Sequence, residues 1–478
     1  MSEVTYNRLR TTDPARWTTA ALAWRRWAAL AGALCGEFAP LVERLRAAWS
    51  GAAAEAAVTR LAAVRRRLVL FRLLCWRVDQ VLSEFAAALS RARALLDRAR
   101  AVSAPAEPAL DQPDLAGALR VAADADASAT ARLAELSALP VAPAEPRRPD
   151  CTATPAQIRQ WWDGLTPAER MWLLGDEPAS VAGLDGVPAA DRDLANRLLL
   201  AERRDYLLRT GVDVDKLRGL DRLAGRLESE GGPRAYLMGL DVGNDGRAVV
   251  AFGDPDRAAN VLTHVPGMTA DLADLDHELV RAERVAARAT ELGPAAATSA
   301  VAWLGYDAPD FLNEAWSARQ AEEGAAGLRR FQEGLRAGHE GPAATQTVLG
   351  HSYGSLVVGK AATGALDADR VVFVGSPGVG VDSARELTVP ADKVFASTSI
   401  SDPIQYAAVS PGTVARHLLP GSPPTGPADE LWFGHNPSDA EFGARVFDSQ
   451  WNAGHLGYWD PGRPALDALA RITLGGTP

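Results

Sequence analysis

The stretch Gly350-His351-Ser352-Tyr353-Gly354 has the residue types and spacing of a chemical centre. A serine with glycine two residues away on either side fits a sharp strand-to-helix turn, because side chains at the glycine positions would collide with the neighbouring strand and helix. Its hydroxyl becomes a useful nucleophile only beside an oriented base and a carboxylate, which in this arrangement follow in the order acid, then histidine. Asp402, in Ser401-Asp402-Pro403, lies just past the second strand after the serine and fits the acid. The same dipeptide also suits a turn or helix cap, and Asp382 is the rival acid. Of the seven histidines, His417, His435 and His455 follow Asp402. His455 lies between a last strand expected at Arg445–Asp448 and a terminal helix expected at Pro464–Ile472. It is the expected base, with His435 second and His417 at the surface or in packing. A tetrahedral intermediate also needs two aimed N–H donors. The amide of Tyr353 supplies one, and the loop His264-Val265-Pro266-Gly267-Met268 is placed to supply the other, from Met268 first and Gly267 next. His351, Trp432, Phe433 and Trp451 are expected to line the substrate.

The elements that must position these residues are readable from pattern. After Gly231, short apolar runs alternate with helical periods, the grammar of an α/β sheet. Strands are expected at Ala235–Val242, Ala248–Phe252, Asn260–His264, Ala300–Leu304, Thr347–Gly350, Val371–Val374 and Val394–Ser397, with helices at Asp271–Leu292, Ala321–Gly338 and Ser355–Thr363. The Gly243-Asn244-Asp245-Gly246 segment is a hairpin turn, since the later glutamate of a calcium loop is missing. The long interval from Pro403 to Gly454, with Pro420–Pro427 inside it, is expected to cover the site.

The N-terminal part differs in kind. Trp27, Ala31, Leu34, Phe38, Leu41, Leu45 and Ala48 step by four and three, and Leu61, Val64, Leu68, Phe71, Cys75, Val78, Leu82, Phe85 and Leu89 repeat the pattern after Trp49-Ser50-Gly51. Two antiparallel helices packed along these seams are expected. The organisation is therefore 1–100 helical hairpin, 101–160 proline-rich linker with one short helix, 161–230 helical connector beginning at the Thr166-Pro167 cap, and 231–478 α/β domain.

Composition narrows the function classes. The 478 residues are 47% hydrophobic and 23% charged, enough apolar surface for a globular protein of more than one folding unit. Net charge is −10, yet residues 1–100 carry seventeen arginines against eight acids. No nucleic-acid partner is expected, and the arginines read first as a solvated helical surface. Cys35, Cys75 and Cys151 have no metal-ligand spacing, so neither a metal nor a cofactor is expected. With no apolar run of membrane-spanning length and no signal-peptide pattern, the expected location is the cytoplasm, or outside the cell by a signal-peptide-independent route.

Taken together, the Leu165–Arg170 and Gly183–Pro188 segments, the His264–Met268 loop, Gly-His-Ser-Tyr-Gly, Ser401-Asp402-Pro403, Phe442–Arg445 and Gly454-His455 resemble a bacterial α/β-hydrolase family of formally unknown function. The resemblance covers roughly residues 160–475. It implies an α/β-hydrolase fold, a mostly parallel sheet flanked by helices, preceded here by an all-α hairpin. It also implies a serine-hydrolase mechanism on a small-molecule or lipid-like acyl substrate, esterase or lipase first and thioesterase, amidase or peptidase after. The hairpin is similar to WXG-type proteins of type VII secretion, although the Tyr-x-x-x-Asp/Glu signal that often follows the second helix is missing after Leu89. That likeness implies a helical protein partner or self-association, and as an alternative function a secretion-associated effector.

Overall fold

The structure is a computed structural model that describes residues 4–103, 108–109, 112–136, 148–310, 312–409 and 429–478. Helix α1 (Tyr6–Thr11) leads into α2 (Pro14–Ala48), and Trp49, Ser50 and Gly51 turn the chain into α3 (Ala52–Ser103). Asp13 caps α2 by accepting from the Ala15 amide, with Pro14 at the first helical position where no amide is needed. Helix α4 (Pro113–Glu135) lies against α3. Helices α5 (Pro155–Gly164) and α6 (Pro167–Asp176) each begin with a Thr-Pro capping box, Thr154 with Gln157 and Thr166 with Glu169. They lead to α7 (Ala189–Thr210) and α8 (Val214–Leu227).

The remainder is a layered α/β unit. Its strands are β1 (Ala235–Asp241), β2 (Arg247–Phe252), β3 (Asn260–Val265), β4 (Thr298–Trp303), β5 (Thr345–His351), β6 (Arg370–Val374) and β7 (Val394–Ser397). The short pair β8 (Glu430–Leu431) and β9 (Gly434–His435) forms a separate hairpin, and β10 (Arg445–Val446) closes the main sheet. Among the described residues that sheet has eight strands in the order β1-β2-β4-β3-β5-β6-β7-β10. Strand β2 runs against both neighbours and every other pair is parallel. The helices are α9 (Leu275–Leu292), α10 (Leu312–Ala315), α11 (Arg319–Gly338), α12 (Tyr353–Ala362), α13 (Ile404–Ala407) and α14 (Pro464–Thr473). This is the α/β-hydrolase fold. Val348, Val371 and Phe373 join α11 and α12 on one face, while Leu349, Val372 and Val374 join α8, α9 and α14 on the other. Parallel strands covered on both faces must be apolar at successive positions, which is why they read as continuous runs. No helix of the described residues is long and apolar enough to cross a membrane.

The first seam differs from expectation. Ala31 of the expected seam is buried, but Trp27, Leu34 and Leu41 are exposed, and α2 packs in addition through Ala21, Arg25 and Ala28. Small side chains let α3 approach closely, so contact selects alanine where periodicity had favoured the larger residues. Along α3 the expected Cys75, Val78, Leu82 and Leu89 are buried, but Phe71 is exposed.

A buried charge network binds the N-terminal helices to the sheet edge. Asp79 of α3 accepts from Arg25 of α2 at 3.0 Å and from Arg234, just before β1, at 3.0 Å. Arg234 also reaches Asp193 of α7 at 2.9 Å, and Asp193 accepts from Arg197 at 2.7 Å and from the Leu237 amide of β1 at 2.8 Å. Burial alone would raise the carboxyl of Asp79, but Arg234 and Arg25 outweigh it and hold the group below its usual range. Asp193 is likewise buried and held low by Arg197 and Arg234.

Removing Asp79 takes the carboxylate from buried Arg25 and one of two carboxylates from buried Arg234. Asp79→Ala is expected to lower the free energy of unfolding by about 3–5 kcal/mol in urea titrations at neutral pH. Because the carboxylate is depressed in the folded state, its stabilisation is complete above the ordinary carboxylate pKa and is lost as pH falls through the folded value. The deficit of the variant should therefore hold from about pH 6 to 8 and shrink below about pH 3. An unchanged urea midpoint at pH 7 would contradict the role given to this network.

Candidate active site

Strand β5 and helix α12 meet at Ser352, which has φ 53° and ψ −130°. A non-glycine residue in that region is strained and persists only where its surroundings over-determine it. Here the Ser352 amide donates to the Val374 carbonyl of β6 at 3.0 Å, and the Ser352 carbonyl accepts from the Ser355 amide at 3.0 Å and from Ser355 Oγ. A side chain at Gly354 would strike the carbonyls of Val265 and Pro266, and one at Gly350 would meet Ser355 Cα at 2.5 Å. Both glycines of the motif are therefore required by contact. The loop after β3 comes equally close, since a Cβ on Gly267 would lie 2.6 Å from Ser352 Cβ and 3.1 Å from its Oγ. Met268 follows, partly buried against the core. The Tyr353 amide sits at the first position of α12, where a helix has no internal partner for it.

On the neighbouring loops, His455 Nδ1 lies 2.9 and 3.0 Å from the two carboxylate oxygens of Asp402. Asp402 is fully buried and also accepts from the Ile404 amide at 2.9 Å and from the Tyr458 hydroxyl at 2.6 Å. Burial and the adjoining carboxylate push the Tyr458 hydroxyl far up from its ordinary pKa, so it stays protonated as a donor. The loop carrying His455 is stitched to the loop carrying Asp402. The Trp451 carbonyl accepts from the Ser401 amide at 3.0 Å, and the Gly454 amide donates to Ser401 Oγ at 2.9 Å.

The His455–Asp402 pair stands beside Ser352. Gly375, which follows the residue receiving the Ser352 amide, leaves just enough room beneath the pair, because a Cβ there would meet Asp402 Oδ2 at 2.7 Å and His455 Nδ1 at 3.2 Å. His351 Nε2 donates to the His455 carbonyl at 2.9 Å, and the two rings lie 4.8 Å apart. Burial first, then the nearby His455, Arg281 and His264, push His351 well below the ordinary imidazole pKa. It is a neutral ring carrying its proton on Nε2. His351, expected to touch substrate, is instead buried behind His455 and packs edge-on to Trp459 at 4.9 Å. Residues alternate faces along β5, so its side chain leaves the sheet away from the serine turn.

The rival residues lie elsewhere. His435 faces Glu430 at 3.3 Å and Asp439 at 3.4 Å, and its amide donates to Asp382. His417 and Pro420–Pro427 lie outside the described residues. Arg445–Val446 is shorter than the strand expected to reach Asp448.

The sequence of this chain agrees with known families. The profile of a family described as Alpha/beta hydrolase matches residues 241–411, which takes in Ser352 and Asp402. Uncharacterized protein Rv2079 of Mycobacterium tuberculosis is 31% identical over 304 residues, covering 55% of this chain and 46% of that protein. Uncharacterized protein Mb0988c of Mycobacterium bovis is 34% identical over 225 residues, covering 44% of this chain and 83% of that protein. The chain belongs to the alpha/beta hydrolase family. It spans about half the length of the first of these relatives.

In this alpha/beta hydrolase an aromatic series leads outward from the residue after Ser352. Tyr353 meets Phe433 edge-on at 6.1 Å, Phe433 meets Trp432 at 6.5 Å, and Trp432 lies 5.5 Å from Trp316. Trp432 and Phe433 form the tip of the β8–β9 hairpin and are half-buried, less exposed than their sequence context suggests. Trp316 and Trp451 are open to solvent at 68% and 71%. Sequence reasoning missed Trp316, Tyr458 and Gly375. The only available signal was the spacing of Tyr458, three residues after His455 and within reach of one short helical turn.

Tyr458→Phe removes a buried donor from Asp402 and leaves the Ser399 amide, which donates to the Tyr458 oxygen at 2.9 Å, without its acceptor. A loss of about 1–3 kcal/mol is expected by thermal unfolding. An unaltered melting midpoint would mean that Asp402 does not depend on this hydroxyl.

Proposed function

We propose that this protein is a serine hydrolase that cleaves or transfers acyl groups, with esters of apolar acids as its substrate class. The observation that carries the reading is the 2.9 Å approach of His455 Nδ1 to the buried Asp402, beside the strained Ser352. Asp402 holds His455 in the tautomer with Nδ1 protonated, which leaves Nε2 free to accept a proton. Ser352 Oγ attacks the acyl carbon while its proton passes to His455, and the imidazolium is stabilised by the carboxylate. The oxyanion is received by the Tyr353 amide and by that of Met268 or Gly267. Collapse expels the alcohol, which takes the proton from His455, and leaves an ester on Ser352. Water, deprotonated by His455, then releases the acid. Tyr353, Phe433, Trp432 and Trp316 are the wall offered to the acyl chain, and Trp451 stands at the rim.

A second reading concerns the hairpin. Trp27, Leu30, Leu34 and Leu41 expose an apolar face on α2, which supports binding of a partner helix, as a secretion-associated role would require.

Ser352→Ala is expected to fold normally and to lose p-nitrophenyl butyrate hydrolysis by on the order of 10⁴ or more in kcat. A fluorophosphonate probe should label the parent protein and not this variant. Retained turnover in the purified variant would end the assignment. Alanine at both Trp432 and Phe433 is expected to lower kcat/KM for decanoyl esters about tenfold or more while sparing acetyl esters, since each buried methylene contributes about 0.8 kcal/mol. Equal losses on both chain lengths would show that these rings do not hold the acyl chain.

A further inference from the structure

We propose that the mouth of the Ser352 site docks on an uncharged lipid–water interface, so that its ester substrate is presented from a lipid surface. The substrate part rests on the serine-hydrolase reading, while the docking stands on surface features alone. Ile400, Tyr406 and Leu456 are exposed at 64%, 51% and 61%, and Trp316 and Trp451 are more open still. Single apolar residues scattered in solvent are ordinary, but a contiguous group of them marks a contact surface.

Hydrogen bonds and a ring contact join the segments that carry these five side chains. The Tyr406 hydroxyl donates to the Ile400 carbonyl at 3.4 Å, and the Ser401 amide donates to the Trp451 carbonyl at 3.0 Å. Leu456 follows His455, whose ring meets Asp402. Beyond α13 the Trp432 amide donates to the Ala408 carbonyl at 2.7 Å, and the Trp432 ring lies 5.5 Å from Trp316. The five thus form a collar on the loops that hold Asp402 and His455, continuous with the aromatic series that leads out from Tyr353.

Charge selects the occupant. Segments 399–408 and 450–459 contain no lysine, arginine or glutamate, and their one aspartate, Asp402, is fully buried beside His455. The cations at the edges are engaged, Arg319 with Glu323 at 3.4 Å and Arg463 with Asp460 at 3.4 Å. Such a surface offers little to an anionic membrane, which recruits proteins through lysine and arginine, or to nucleic acid. Tryptophan and tyrosine carry an apolar body and one polar N–H or O–H, which suits the boundary between headgroups and acyl chains, while isoleucine and leucine suit the chains themselves. A dissolved short ester is too small to cover side chains spread over three segments, whereas a lipid surface covers all of them at once.

The test uses the full chain carrying Ser352→Ala, so that binding is read without lipid turnover. Flotation with phosphatidylcholine vesicles is expected to carry the protein, and no better when phosphatidylglycerol is included. Ile400→Ser together with Leu456→Ser should lower vesicle affinity about tenfold or more with an unchanged melting temperature, since both side chains are exposed. Trp451→Gln should lower it as well, and carries the test if the pair fails to fold. With Ser352 intact, the Ile400→Ser, Leu456→Ser pair should lose activity on emulsified trioctanoin by a similar factor and keep kcat/KM on dissolved p-nitrophenyl butyrate. Absence of flotation, or full flotation of the folded variants, would overturn the docking. Flotation only with phosphatidylglycerol would overturn it too, since it would point to the arginines of the helical region. A dimer in solution that the pair breaks, without flotation, would give the collar to a second copy and end the proposal, as would equal losses on emulsion and dissolved ester. Flotation with no hydrolysis of any ester would defeat the hydrolase reading and leave the docking standing.

Discussion

A carboxylate with no exposure to solvent must be met by donors on every side, and Asp402 sets that requirement at the end of β7. It is met by one backbone amide, the hydroxyl of Tyr458 and the ring of His455. Those two side chains come from one loop, so the burial of a single charge fixes how residues 451–459 lie against residues 399–404. The serine and amide bridges between the loops, Ser399 and Ser401 to Trp451 and Gly454, follow from the same approach. His351 adds a neutral donor to the His455 carbonyl from beneath. The imidazole is thus held through both its ring and its backbone.

Around Ser352 the determining factor is crowding. The carbonyls of Val265 and Pro266, the start of α12 and the loop at Gly267 converge within contact distance of one turn. A parallel sheet creates this density because all its central strands deliver their loops to one edge. Four glycines, Gly267, Gly350, Gly354 and Gly375, occupy points where a single added carbon would strike backbone or the side chains of Ser352, Asp402 and His455. The strained conformation of Ser352 is sustained by that packing and by its hydrogen bonds to β6 and α12.

The helical N-terminal region is joined to this unit through charge as well as apolar contact. Asp79, Asp193, Arg25, Arg197 and Arg234 draw on α2, α3, α7 and the approach to β1. Each is buried, so each depends on partners supplied by another segment. Removing one member takes a counter-charge from its direct partners in another segment, a cost that hydrophobic contact alone would not impose. Among the described residues the distal half of α2 makes no such ion pair, and it leaves Leu34 and Leu41 in solvent.

Much of the architecture was legible in the sequence because it rests on local signals. Continuous apolar runs located the central strands to within a few residues, Thr-Pro marked α6, and glycines two residues either side of Ser352 marked the strand-to-helix turn. Asp402 and His455 were legible as candidates from their order relative to the strands. Which histidine meets which acid was not local information. His435 and His455 both follow Asp402, and only the tertiary structure seats one against it and the other between Glu430 and Asp439. The same holds for His351, whose direction depends on the face of β5 from which it leaves, and for Tyr458, whose value lies in a buried lone pair fifty-six residues away. Arg25 looked like a member of a solvated basic surface because sequence records the charge and omits its burial. Chain chemistry named the groups able to react, and three-dimensional contact decided which of them share a proton, a wall or a counter-charge.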